Sequence, residues 1–183
     1  MLLQSEHSTL LLVDVQQKLA HAVNAANELI DHCNWMLRLA KECDVPIVIS
    51  EQYPRGLGPT LPILQQTASN AARLEKTAFS CVAAGCLDLP TCRDRKQIVL
   101  IGIEAHVCVL QTAMELHSAG KQVYVVADAV SSRTSEDREL ALARMRSTGI
   151  HIISREMALF EWIRDSGHPQ FKQLSQRYLQ QKS

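Results

Sequence analysis

The chain carries no excess charge of either sign, because nineteen Lys and Arg stand against nineteen Asp and Glu over 183 residues. A balanced chain sets up no global field toward nucleic acid or an anionic membrane, so a small neutral or locally complementary substrate is the expected partner. No apolar run approaches the ~18 residues of a membrane span, and the opening MLLQSEHSTLLLVD has neither a basic flank nor a small-residue cleavage site. That start reads as a strand and the protein as cytoplasmic. No internal repeat or linker interrupts the chain, whose length suits a single domain over 1–183. The first apolar run is followed by DVQQKLAH, without the G-x-G-x-x-G that lets a pyrophosphate approach, which excludes a Rossmann-type dinucleotide site there. Six cysteines are present, but a chain this long and aliphatic needs no disulfide framework, so they read as thiols. Cys81, Cys86 and Cys92 have no second closely spaced cysteine pair and no nearby histidine to complete a zinc site. They read as small buried hydrophobes.

Short apolar runs alternate with longer amphipathic stretches, as in βαβ units around a parallel sheet. The expected strands are Thr9–Val13, Pro46–Ser50, Ala72–Glu75, Gln97–Ile101, Gln122–Ala127 and Ile150–Ile153, several of them apolar on both faces. Such strands require helices above and below, a three-layer α/β architecture. Ala25–Cys43 has its apolar residues at three-four spacing. Val107–Ser118 and Ser135–Ser147 follow as helices, with Gly120 and Gly149 at the expected caps and Thr134 as an N-cap. A helix over Ser154–Arg164 and a polar tail helix after Pro169 close the chain. The long Pro/Gly-rich loop is EQYPRGLGPTLP, directly after the second strand.

Open doubly wound sheets bind ligands beyond the carboxyl ends of their strands, where the strand order reverses. Those ends carry Asp14, Glu51 to Tyr53, Lys76, Gly102 to Cys108, and Asp128. Asp14 ends an apolar run, where a poorly hydrated carboxylate suits a general base; a helix cap or a buried ion-pair member fits the same position. Lys76 ends its own strand in LEKTAFS. Cys108 in GIEAHVCV is expected in a first helical turn, where unsatisfied N–H groups and the helix dipole stabilise a thiolate. Alone, such a cysteine is more often packing; beside a carboxylate and a lysine from neighbouring strand ends it is a candidate nucleophile.

The ordered set of Asp14 in VDVQ, Lys76 in EKTAFS and Cys108 in a G-I-x-A-x-x-C turn resembles the isochorismatase-like cysteine hydrolase superfamily. The similarity runs from Leu10 to about Trp162, and the loop EQYPRGLGPT resembles the subgroup of YcaC-type and isochorismatase-domain-containing proteins. The resemblance implies a doubly wound six-stranded parallel sheet ordered 3-2-1-4-5-6, catalytic roles for Asp14, Lys76 and Cys108, and a cis peptide at Ile103–Glu104. In that picture Asp14 takes the proton of Cys108, the thiolate attacks an amide-like carbonyl, and backbone N–H groups of Glu104 and Cys108 hold the oxyanion. Gln16, Tyr53, Phe79 and His106 are expected to line or border the substrate pocket. The nicotinamidase branch has metal-binding histidines after its second strand; EQYPRGLGPT has none, so neither metal nor cofactor is expected. Cys108 favours a C–N bond over the vinyl ether that some family members open without a cysteine. The alternative is a scaffold or binding protein that keeps the fold without turnover. Homo-oligomers are common in the superfamily, and Met157, Leu159, Phe160, Trp162 and Ile163 run nearly all round their helix, more than one core-facing stripe needs.

Overall fold

The computed structural model describes residues 1–179; the last four residues of the expected 1–183 domain lie outside the described residues. Six parallel strands alternate with helices in the order β1 (Ser8–Val13), α1 (Ala26–Glu42), β2 (Ile47–Gln52), α2 (Pro54–Leu57), α3 (Pro62–Thr67) and β3 (Ala72–Lys76). They continue as α4 (Pro90–Arg93), β4 (Gln97–Ile103), α5 (Leu110–Ser118), β5 (Gln122–Ser131), α6 (Ser135–Ser147), β6 (His151–Ile153), α7 (Arg155–Ile163) and α8 (Phe171–Tyr178). The sheet order is β3-β2-β1-β4-β5-β6, so the direction of winding reverses between β1 and β4.

Alternation along each strand builds two cores from one sheet. Leu10, Leu12, Ile49, Val99, Ile101, Tyr124 and Val126 face α1, α3, α7 and α8, where they meet Cys33, Met36, Leu37, Leu64, Leu159 and Trp162. The intervening Leu11, Val13, Val48, Ile98, Leu100, Val123 and Val125 face α5 and α6 and meet Leu116, Ala141 and Met145. Cys81, Cys86 and Cys92 are buried in this second core as free thiols. Trp162 and Ile163 are buried in the first core, but Met157 and Phe160 of α7 stay 46% and 44% exposed, with the Phe160 ring 6.4 Å from Phe171. The all-round apolar pattern of α7 is therefore only partly answered by the core and α8. Among the described residues no helix is long and apolar enough to cross a membrane.

Four strands run further than expected: β2 to Gln52, β3 to Lys76, β4 to Ile103 and β5 to Ser131. β4 continues to Ile103 rather than ending at Ile101, because Gly102 lets the chain pass within contact of β1: a Cβ there would sit 2.2 Å from the Val13 carbonyl oxygen, at φ +111°. β5 continues to Ser131 rather than Ala127. After a register shift between Leu100 and Gly102, Gly102 pairs with Val130 and Ile103 with Ser131. This extension survives the polar residue Asp128 because Arg138 of α6 donates to the Val130 and Ala127 carbonyls (3.0 and 2.5 Å). α1 is a residue shorter than expected at each end, β6 is a residue shorter at its start, and α5 begins at Leu110 rather than Val107.

Candidate active site

The sheet order assembles the site. β1 delivers Asp14, β3 delivers Lys76 as its last residue, and the turn after β4 delivers Cys108; β2 lies between the first two. Asp14 follows β1 in the left-handed region, φ +53°, a conformation that aspartate tolerates better than most residues. Lys76 reaches across β2 and its Nζ donates to Asp14 Oδ2 at 2.7 Å, with both side chains almost fully out of solvent. The same ammonium lies within hydrogen-bond reach of Gln52 Oε1 (2.6 Å), Phe79 O (3.0 Å) and Ala78 O (3.3 Å). Its three N–H groups thus have four acceptors, which fix it beside the carboxylate. Asp14 Oδ1 accepts from Ser50 Oγ of β2 at 2.7 Å.

Cys108 packs against this pair and is 7% exposed. Burial, first, and then the negative charge of Asp14 with a hydrogen bond to it push the thiol up to about 12, partly offset by the Lys76 charge. The expectation of a dipole-stabilised thiolate is corrected here. Ala105–Val109 form a π-helical turn ahead of α5, so Cys108 does not sit in the first turn of that helix, and desolvation beside a carboxylate favours the neutral thiol. The resting proton stays on sulfur. The Ile103–Glu104 peptide is cis, and among the described residues nothing accepts from the Glu104 N–H.

The expected border residues divide into two kinds. Tyr53 and Phe79 are 54% and 53% exposed, and each is tied by its backbone to Lys76, Tyr53 donating its N–H to the Lys76 carbonyl at 2.7 Å. Both rings remain available at the surface. Gln16 is different: its Nε2 donates to Gln52 O and Gly58 O (2.9 and 2.7 Å) and its Oε1 accepts from Gln52 N–H (2.7 Å). With both amide hydrogens committed to backbone, Gln16 clamps the loop after β2 and has no donor left for a ligand, contrary to the expected pocket-lining role. His106 is half-buried, and its Nδ1 lies 2.9 Å from Ser132 Oγ. Beside it, exposed Arg133 grips the Glu104 carboxylate at 3.1 and 3.3 Å. These two contacts tie the segment after β5 to the Cys108 turn. Hollows of about 400 and 250 Å³ lie elsewhere, on α7 and between α1 and α6.

Ser50 is the residue that the sequence did not single out, and Gln52 stood only within the Glu51 to Tyr53 strand end, with no role of its own. They stand two apart on β2, hence on one face, in a strand that ends with polar residues after an apolar run; that switch is the available signal.

A parallel sheet reversing between β1 and β4 thus sets a buried aspartate–lysine pair against a cysteine at that reversal. Residues 8–157 match the isochorismatase domain, and the chain belongs to the isochorismatase family. Isochorismatase domain-containing protein 2A of Mus musculus is 41% identical over 169 residues, 92% of this chain and 81% of that protein. Among solved structures, the MAR1 ribonuclease of Caenorhabditis elegans superposes with a TM-score of 0.92 at 34% identity, covering 100% of this chain and 95% of that one. YcaC of Escherichia coli, an octameric hydrolase of unknown specificity, superposes with a TM-score of 0.81 at 22% identity over 100% and 98% of the two chains, and so shares the fold. By sequence the chain therefore groups with the isochorismatase domain-containing proteins, and it shares the fold of YcaC.

Proposed function

We propose that this protein is a cysteine hydrolase that cleaves a small amide-like C–N bond through a thioester on Cys108, without metal or cofactor. The observation that carries the reading is the buried Lys76–Asp14 pair packed on the Cys108 thiol. Since the thiol is not ionised at rest, the nucleophile forms only as Asp14 accepts its proton during attack on the carbonyl carbon. The carbonyl π electrons move onto oxygen, which the N–H groups of Glu104 and Cys108 receive. Asp14 then returns the proton to nitrogen as the C–N bond breaks and the amine leaves. Water, deprotonated by Asp14, attacks the thioester; the acid departs and the sulfur regains its proton. Lys76, its donors spent on protein oxygens, holds Asp14 rather than the substrate.

The loop after β2 brings no histidine that could ligate a metal. Exposed Tyr53 and Phe79 border the entrance, and the exposed Met157–Phe160 face of α7 suits a homo-oligomer. A catalytically silent scaffold is the second reading, favoured by the small exposure of Cys108. RNA cleavage is weighed because of the similarity to the worm ribonuclease; the even charge balance and the commitment of Arg133 to Glu104 argue against it. The test is a hydrolysis screen of the purified protein against small amides, carbamoyl compounds, esters, isochorismate and an RNA oligonucleotide, with Cys108→Ala as control. Release of amine that disappears in Cys108→Ala is expected. Binding without turnover, or activity untouched by the substitution, would overturn the proposal.

A further inference from the structure

The ion pair spans β2, the strand that separates its two members, and the side chains rising from that strand engage both of them. Gln52 sits opposite Lys76 in the register and accepts from its ammonium, while Ser50, opposite Val13, donates to Asp14. The two carboxylate oxygens are thereby divided: Oδ2 belongs to Lys76 and Oδ1 to Ser50. Lys76 alone would leave the carboxylate free to swing about its Cβ–Cγ bond.

We infer that Ser50 is a positioning residue that sets the plane of the Asp14 carboxylate toward Cys108 and keeps it ready to accept a proton, an inference that rests on the hydrolase reading above. Ser50 is fully buried, so its hydroxyl has no water to serve and its bond to a charged acceptor is among the stronger kinds. The charged and titratable groups around Asp14 are Lys76 from β3, Cys108 from the π-helical turn, and Cys81. Cys81 is held on the same side of the site: its backbone N–H donates to Thr112 Oγ1 at 2.9 Å, and Thr112 stands four residues, one helical turn, beyond Cys108.

The test follows the rate of Cys108 alkylation by iodoacetamide against pH in the wild type, Ser50→Ala and Ser50→Thr, with peptide mapping to isolate Cys108 and thermal melts to verify folding. An acid limb in this profile reports loss of the proton acceptor. Ser50→Ala is expected to move that limb up by about one pH unit, the size that a hydrogen bond to a charged group commonly carries, and Ser50→Thr, which restores a hydroxyl, to move it back. Superimposable limbs in the wild type and Ser50→Ala would overturn the inference while leaving the hydrolase reading intact. A change of height without a shift of the limb would mark Ser50 as structural only and overturn it equally. A wild type with no acid limb at Cys108 would sink the hydrolase reading itself.

Discussion

Replacing Lys76 by Met removes one partner of a buried ion pair and leaves the other, and the two possible single deletions are not equivalent. Without Lys76, Asp14 keeps only the Ser50 hydroxyl and the weakly donating Cys108 thiol for two carboxylate oxygens that are shielded from water. Without the Asp14 charge, as in Asp14→Asn, the ammonium still has Gln52 Oε1, Phe79 O and Ala78 O for its three N–H groups. Either deletion strands a buried charge, at a cost of about 3–5 kcal/mol, but the ammonium keeps an oriented neutral oxygen for each N–H, which offsets part of its cost by about 1–3 kcal/mol. Lys76→Met is therefore expected to be the more destabilising change, and the double variant to recover part of its loss, because Asn and Met leave no charge to strand. For a chain of this size the Lys76→Met loss corresponds to a fall in Tm of roughly 6–20 °C. Guanidinium unfolding of all four proteins at one fixed protein concentration gives the cycle. Equal losses for the two single variants, or a double variant worse than Lys76→Met, would refute the view of Lys76 as the stabiliser of Asp14.

Alkaline pH should unfold the protein early. Burial pushes the Cys108 thiol up to about 12, does the same to Cys43 with help from Glu42 and Asp44, and raises Cys33 further. The folded chain then holds protons that the unfolded chain releases near 9, so the stability present below pH 9 is lost as pH rises toward 12, by up to about 1.4 kcal/mol per pH unit for each group. Melts that hold constant between pH 8.5 and 11 would contradict this. Gly102→Ala places a methyl 2.2 Å from the Val13 carbonyl at a backbone angle that alanine avoids, and is expected to cost on the order of 3 kcal/mol or more, read as a lower denaturation midpoint; a neutral result would mean that β1 and β4 are not so closely apposed.

The sheet was legible because its strands are short aliphatic runs apolar on both faces, and the sheet order came from the family resemblance. Strand ends were less so. β4 and β5 outrun their apolar runs because a glycine and an arginine that caps carbonyls sustain the ladder, effects that hydrophobic patterning does not register. At the site, the positions of Asp14, Lys76 and Cys108 could be read from strand ends. The state of the thiol could not: a first-turn cysteine looks activated until its burial beside Asp14 is known. Gln16, two residues past Asp14, looked like a ligand-facing amide, yet the loop after β2 folds back and consumes its hydrogen-bonding groups. Ser50 went unnoticed, and Gln52 was placed at a strand end without a role, for the complementary reason, since only the crossing of β2 by the Lys76–Asp14 pair gives them a purpose.

The claim that Cys108 is the nucleophile is tested most directly by limited iodoacetamide labelling of the native protein at neutral pH, followed by peptide mass spectrometry of all six cysteines. Cys43 serves as an internal control, being more exposed than Cys108, with its thiol likewise pushed up to about 12 but without the Asp14 base beside it. Labelling of Cys108 ahead of Cys43 and the other four is the predicted result. Equal labelling, or Cys43 first, would contradict the account.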